Sequence, residues 1–306
     1  MPANFPEVWL NRVRTQLTSQ DQAPWLAGVE ELDGQITEMG AGSEGEQNLI
    51  HVPTSTFRPD VLINNTTYPI ALVNYTDDTV TIALDKYQTL ATSLSDDQII
   101  GAAYARIDNA TRQHVIAIGM KKYNKAIHAL APAANTPSTP VILTTGALVG
   151  TRRRLTFDDI VALKDGFDTQ DLPQEGGRRL VLSTDHWNDL LVDESNKYYN
   201  KLLVDYKTGQ AAPMIAGFEV FQYLGNPYYT TAGVKNPFAS VPGATDTKAS
   251  VAFYVPNVAK KTGLTKQYFR LAAIDPQNQT NQLNYRHYFI CVPVLNQYIG
   301  AIVSGS

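Results

Sequence analysis

Cysteine is all but missing from this chain. A single residue, Cys291, among 306 rules out an internal disulfide and a cysteine-built metal cluster. Its apolar setting, Tyr-Phe-Ile-Cys-Val-Pro-Val, reads as a buried strand. Charge is sparse as well: Asp, Glu, Lys and Arg make up 18% of the residues, against the ~25% of ordinary soluble domains. The 25 basic and 29 acidic side chains leave a net charge of -4, which offers nucleic acid no general attraction. No stretch approaches the ~18 uninterrupted apolar residues of a membrane span. The N-terminal Met-Pro-Ala-Asn-Phe-Pro-Glu lacks the basic patch and apolar run of a signal peptide, so the expected setting is a cytosol, with no membrane partner.

Catalytic signatures are missing too. There is no GxSxG elbow, no GxxxxGKS/T phosphate loop and no GxGxxG fingerprint, which leaves nucleotide chemistry and the common hydrolase layout without support. The five histidines, His51, His114, His128, His186 and His287, lack metal-ligand spacing and read as structural or surface groups. No cofactor is expected. Arg152-Arg153-Arg154 is the one basic run, read as a solvated loop or a bridge to a neighbour's carboxylates, with a phosphate contact as the alternative.

What fills the chain instead is Asn, Gln, Ser, Thr and 16 Tyr. Such side chains are desolvated against a partner at less cost than Lys or Glu. A chain that buries much of its outside in neighbours has this composition, and so does a weakly charged enzyme.

Near the N-terminus, Trp9, Val13 and Leu17 recur with a period of four and predict a short amphipathic helix over 6–17. Trp25, Leu26, Val29 and Leu32 form a second apolar cluster before the flexible Gly40-Ala41-Gly42-Ser43-Glu44-Gly45-Glu46. The first fifty residues read as an arm that binds the body of its own chain or a neighbour. Short strands follow at 48–52, 68–74 and 79–84, with turns at Asn64-Asn65 and Thr76-Asp77-Asp78. The second turn joins 68–74 to 79–84 in a predicted hairpin, marginal without cover.

Ser95-Asp96-Asp97-Gln98 predicts a capping box, with both aspartates at the positive end of a helix dipole. Capping accounts for this carboxylate pair without catalysis. The helix it opens, proline-free to Ala131, places Ile99, Ala103, Ile107, Ala110, His114 and Ala117 on one face. Its predicted length is about 35 residues, or roughly 50 Å, with a bend or fraying at Gly119. Beyond a proline-rich connector at 131–140, helices are expected at 156–164, opened by Thr156, and at about 185–194. Strands are expected at 179–182, 215–223, 249–255, 268–274, 286–294 and 299–303.

This order of arm, ribbon, long capped helix and mixed body resembles the major capsid protein of tailed bacteriophages, the Hong Kong 97-like coat fold also used by encapsulins. Val80-Thr81-Ile82-Ala83-Leu84-Asp85-Lys86-Tyr87-Gln88-Thr89, leading into Ser95-Asp96-Asp97, is similar to the passage where that family's extended loop returns to its spine helix. Arg179-Leu180-Val181-Leu182-Ser183-Thr184-Asp185-His186-Trp187-Asn188-Asp189-Leu190-Leu191, with Gly209 and Ile215-Ala216-Gly217-Phe218-Glu219-Val220, is similar to the core of its axial domain.

The resemblance implies an α+β chain with an N-terminal arm at 1–50 and an extended loop at 51–92. A peripheral domain with the spine helix would take 93–140 and 265–306, and an axial domain 141–264. It implies many copies of the chain forming pentamers and hexamers of an icosahedral shell around phage double-stranded DNA. That DNA would be enclosed without sequence-specific binding. The shell would be part of a virion assembled in the host cytoplasm, with no catalysis. A separate scaffolding protein, a portal and a decoration protein are the implied partners, since the arm is too short for a cleavable scaffolding segment. Trp9, Tyr68, Ile70, Ile82 and Lys86 are the expected intersubunit contacts, and Ile99, Ala103 and Ile107 the spine's inward face. Two rivals stand beside this reading: an encapsulin-like compartment holding a cargo enzyme, and a cytosolic α/β enzyme without a recognised motif.

Overall fold

The computed structural model describes residues 23–32, 49–55, 57, 59–75, 77–95, 103–173, 176–192, 204–205, 210–211, 214–274 and 277–305. The predicted helix at 6–17, the glycine-rich stretch at 40–46 and the capping residues Asp96, Asp97 and Gln98 lie outside them. The chain divides into two units, Met1–Leu32 with Asp85–Ser306, and Asp33–Leu84.

In the smaller unit, β1 (Leu49–Thr54) and β2 (Asp78–Ala83) form an antiparallel ribbon with Ile50 opposite Ile82 and Val52 opposite Val80. The period of two gathers these four side chains on one face and His51, Pro53, Thr79 and Thr81 on the other. The ribbon therefore has a different first strand from the one expected. Residues 68–74 carry no strand and belong to the long connection between β1 and β2. Leu49–Thr54 matches Asp78–Ala83 residue for residue and takes the place beside β2.

The larger unit continues with β3 (Asp85–Gln88), β4 (Thr92–Ser95), α1 (Ala103–Leu130), β5 (Val141–Leu143), β6 (Leu148–Val149), β7 (Arg152–Arg153) and α2 (Phe157–Asp168). After these come β8 (Arg178–Leu182), α3 (Thr184–Val192), β9 (Val204–Asp205), β10 (Gln210–Ala211), β11 (Met214–Ile215) and β12 (Phe218–Gln222). The last are β13 (Tyr228–Tyr229), β14 (Thr247–Lys248), β15 (Ser250–Tyr254), β16 (Val258–Arg270), β17 (Thr280–Pro293) and β18 (Ile299–Val303). Most expected elements are present, with shifted ends. The strand foreseen at 268–274 ends at Arg270 and gives way to a 3-10 turn at Ala272–Ile274.

Two sheets organise this unit. One has six strands in the order β11-β12-β8-β15-β18-β5. Its central strands alternate strictly: Val181, Val251, Phe253, Ala301 and Val303 join the core that contains Ile127 and Leu130 of α1. Leu180, Leu182, Ala252 and Ile302 join the core under Ile160, Leu163 and Phe167 of α2. Both faces are covered, which is why these strands are apolar throughout. The second sheet pairs β16, β17 and β3, with β4 further along β17. Ile299–Val303 thus pairs inside the six-stranded sheet, and the second sheet begins at Val258.

α1 spans about 42 Å and touches both sheets. Val115 and Ile118 pack on Leu283 and Tyr285 of β17, and the later turns bury Ala126, Ile127 and Leu130. The inward stripe follows these bulky residues, which gain more from burial than alanine, so Ala117 faces out. Gly119 does not interrupt the helix. α2 starts as expected at Thr156, where the Asp159 carboxylate accepts the Thr156 backbone N–H at 2.8 Å.

Candidate assembly surfaces

The connection between β1 and β2 exposes an unusual amount of apolar surface. Leu72 is 97% exposed, Ile63 84% and Val61 83%, and Leu62, Tyr68, Ile70, Val73 and Tyr75 are exposed beside them. Phe57 and Tyr75 meet edge to face at 5.3 Å, and Asn65 closes a tight turn through its side chain, accepting from Thr67 N–H at 3.0 Å. Asn64 supplies the left-handed residue of that turn. The expected turn at Asn64-Asn65 is therefore present.

The end of the arm is anchored on its own chain. Trp25 is fully buried, edge-on to Tyr223 at 5.6 Å and Phe253 at 6.2 Å, and its carbonyl accepts from Arg179 Nη1 at 2.8 Å. Leu32 N–H donates to Lys260 O at 2.9 Å, and Lys261 Nζ returns a bond to Leu32 O at 2.7 Å. Of the two partners sequence allowed, the chain's own body holds residues 23–32.

The polar groups that could suggest chemistry are struts. Arg152 grips Asp189 with two nitrogens, at 2.5 and 2.9 Å, and Asp189 also accepts from Leu155 N–H. The basic run thus meets a carboxylate of its own chain, a pairing set by the packing of β7 against α3. His186 lies between Ser250 Oγ, 2.7 Å from Nδ1, and Ser304 Oγ, 3.0 Å from Nε2. A serine beside a histidine resembles an activated nucleophile, but this one is sealed in the core, where no substrate reaches it. Burial, against an opposing pull from Asp189, holds His186 down at about 4. Cys291 is buried in β17 as expected, its thiol pushed up to about 12 by burial.

Sequence reasoning missed the group that finishes α1. Lys235 Nζ donates to Ala131 O at 2.5 Å and His128 O at 3.0 Å, and the Tyr229 hydroxyl donates to Pro132 O. These bonds satisfy carbonyls the helix leaves open and place a cation at the negative end of its dipole. Burial lowers Lys235 to about 8. No local signal marks a residue more than 100 positions downstream as a helix cap.

The expected contact residues have separate fates. Tyr68 and Ile70 are exposed in the connection. Ile82 is only 4% exposed, so the chain itself already covers it. Lys86 is exposed on β3 opposite Tyr288, and Trp9 lies outside the described residues. Ser95 closes β4 opposite Thr280, while the described part of α1 starts at Ala103. Ala103 and Ile107 fall in its first turns, and Ile99 lies outside the described residues.

A long helix laid across two sheets, with an apolar ribbon in a separate unit, defines a shell protein of the Hong Kong 97-like fold. Residues 77–304 match the family described as phage capsid protein, and the chain belongs to that family. Among curated proteins, none matches the chain by sequence. The capsid protein of cyanophage P-SCSP1u is similar at 15% identity and a TM-score of 0.62, over 92% of each chain. That of bacteriophage PhiM1 is similar at 13% and 0.57, over 90% of this chain and 91% of the other. The virus-like particle of Pyrococcus furiosus shares the fold at 8% and 0.55, over 98% and 99%. The resemblance seen in the sequence is thus borne out, and the chain is a structural protein, a major capsid protein.

Proposed function

We propose that many copies of this chain close into an icosahedral shell of pentamers and hexamers around phage double-stranded DNA, without catalysis. The exposed apolar connection carries this reading: Leu72, Ile63 and Val61 stand exposed among the described residues, and a neighbouring copy would cover them. Tyr68 and Ile70, exposed in the connection, are proposed to take part in that contact, as is Lys86, exposed on β3. Trp9 is proposed for the same role, and Ser95 with Asp96, Asp97 and Gln98 as the cap of the spine helix. The divisions into arm, loop, peripheral and axial domains follow the same reading. A low net charge of -4 suits a wall that must let packaged DNA slide. A separate scaffolding protein, a portal and a decoration protein complete the particle, which assembles in the host cytoplasm.

Mass measurement with negative-stain imaging of the purified chain, alone and co-expressed with a candidate scaffold, tests this. Megadalton shells or capsomer rings are expected. A strict 33.7 kDa monomer under both conditions overturns it.

A further inference from the structure

A cavity of about 670 Å³ lies within the larger unit, bounded by the end of the arm, α1 and the paired strands β16 and β17. A bulge shapes it: Gly263 and Leu264 of β16 stand against Tyr288 alone of β17, so Thr262 and Thr265 fall opposite Phe289 and His287 on one face. Two buried polar side chains, Lys122 of α1 and His287 of β17, are 6% and 2% exposed and both line the cavity. The Lys122 ammonium lies over the rings of Tyr123, at 4.6 Å, and Phe289, at 5.1 Å. His287 Nδ1 is 2.9 Å from Thr265 Oγ1, and its Nε2 is buried with no hydrogen-bond partner among the described residues.

Positive charge outweighs negative in the described lining: Lys122 and Lys260 stand against Glu31 alone. The Glu31 carboxylate is already engaged, 3.9 Å from Lys260 and accepting from Thr262 Oγ1 at 3.1 Å. No arginine is among these described residues, so the planar fork that matches a carboxylate is missing, while ammonium groups act as point charges on a phosphate. Lys122 and His287 lie too deep for a nucleic-acid backbone to reach, which leaves a free ion. We propose that this cavity binds a free phosphate ion, held by Lys122 and by the Nε2–H of His287, with Lys260 adding a second positive charge. The Thr265 hydroxyl then donates to Nδ1 and leaves the ring proton on Nε2. In a buried site the attraction between ammonium and phosphate is stronger than at the surface. The bound ion ties the end of the arm, α1 and both strands together. The site lies within one chain and goes beyond the coat-protein reading.

Calorimetric titration of the full chain with inorganic phosphate tests this, with chloride at matched ionic strength as the blank. Saturable binding is expected, weakened about tenfold or more in Lys122→Met, which loses a charged donor. Lys260→Met is expected to weaken it several-fold, and this partly exposed site keeps the test decisive if the buried variant fails to fold. Lys121→Met, exposed on the same helix and outside the cavity, should bind as the native chain does. Absence of saturable binding overturns the site, and so does equal weakening by Lys121→Met and the two cavity variants. Displacement of the phosphate by a short single-stranded DNA overturns the assignment to a free ion.

Discussion

His186 Nδ1 and Ser250 Oγ lie 2.7 Å apart inside the larger unit, joining the first turn of α3 to the start of β15. The same Ser250 oxygen accepts the Ser183 backbone N–H at 3.0 Å, so one hydroxyl holds two segments. Burial keeps the imidazole neutral, with His186 held at about 4. His287, buried in β17 near Lys122, is held at about 3 for the same first reason.

Both values fall below the ordinary 6.5, which fixes the sign of the pH effect. Between these values and 6.5 the unfolded chain binds protons that the folded chain refuses, so stability is complete above 6.5 and declines as pH falls. Thermal melts are expected to be flat above about pH 7 and to drop between pH 6.5 and 4, by on the order of 3 kcal/mol for each histidine. A His186→Gln chain should lose part of that slope.

Lys235→Met removes the two bonds that close α1 and leaves the carbonyl of buried Ala131 without its donor. A loss of about 2 kcal/mol is expected, read as a lower urea midpoint at unchanged slope. Were the midpoint to stay in place, the cap would carry no weight.

Ile70→Asp and Ile82→Asp should act differently, although both sit in the smaller unit. Ile70 is 54% exposed, so its aspartate should leave the monomer's stability within about 0.5 kcal/mol and suppress particle formation. Ile82 is buried opposite Ile50, so its aspartate should unfold the ribbon first, seen as faster proteolysis of residues 33–84. Equal effects of the two would contradict this placement.

Trp25→Ala removes a fully buried ring from between Tyr223 and Phe253. A cost of about 3–5 kcal/mol is expected in urea denaturation. A small change would mean that the segment after Pro24 contributes little to the core.

Much of the coarse order was legible because it is locally encoded. Thr156 and Asp159 cap α2 within one turn, Ile299–Val303 is a continuous apolar run, and Cys291 sits in another. Contact residues were less legible. Tyr68 and Ile70 carry apolar surface into water as a contact would, but Ile82 shares their apolar character and is turned into the ribbon. A sequence lists apolar residues without saying which are already covered.

The sequence alone determined the class of protein: a sparsely charged, cysteine-poor chain with a long proline-free helix between an apolar ribbon and a strand-rich body. Capping, alternation and helical period depend on residues a few positions apart, so they can be read along the chain. Only the tertiary structure decided which strands pair. It set Leu49–Thr54, not 68–74, against Asp78–Ala83, and put Ile299–Val303 beside β15. It gave Arg152 to Asp189 and the end of α1 to Lys235. Those choices compare the burial and hydrogen bonds of distant segments competing for the same partners, and that comparison exists only once the chain is folded.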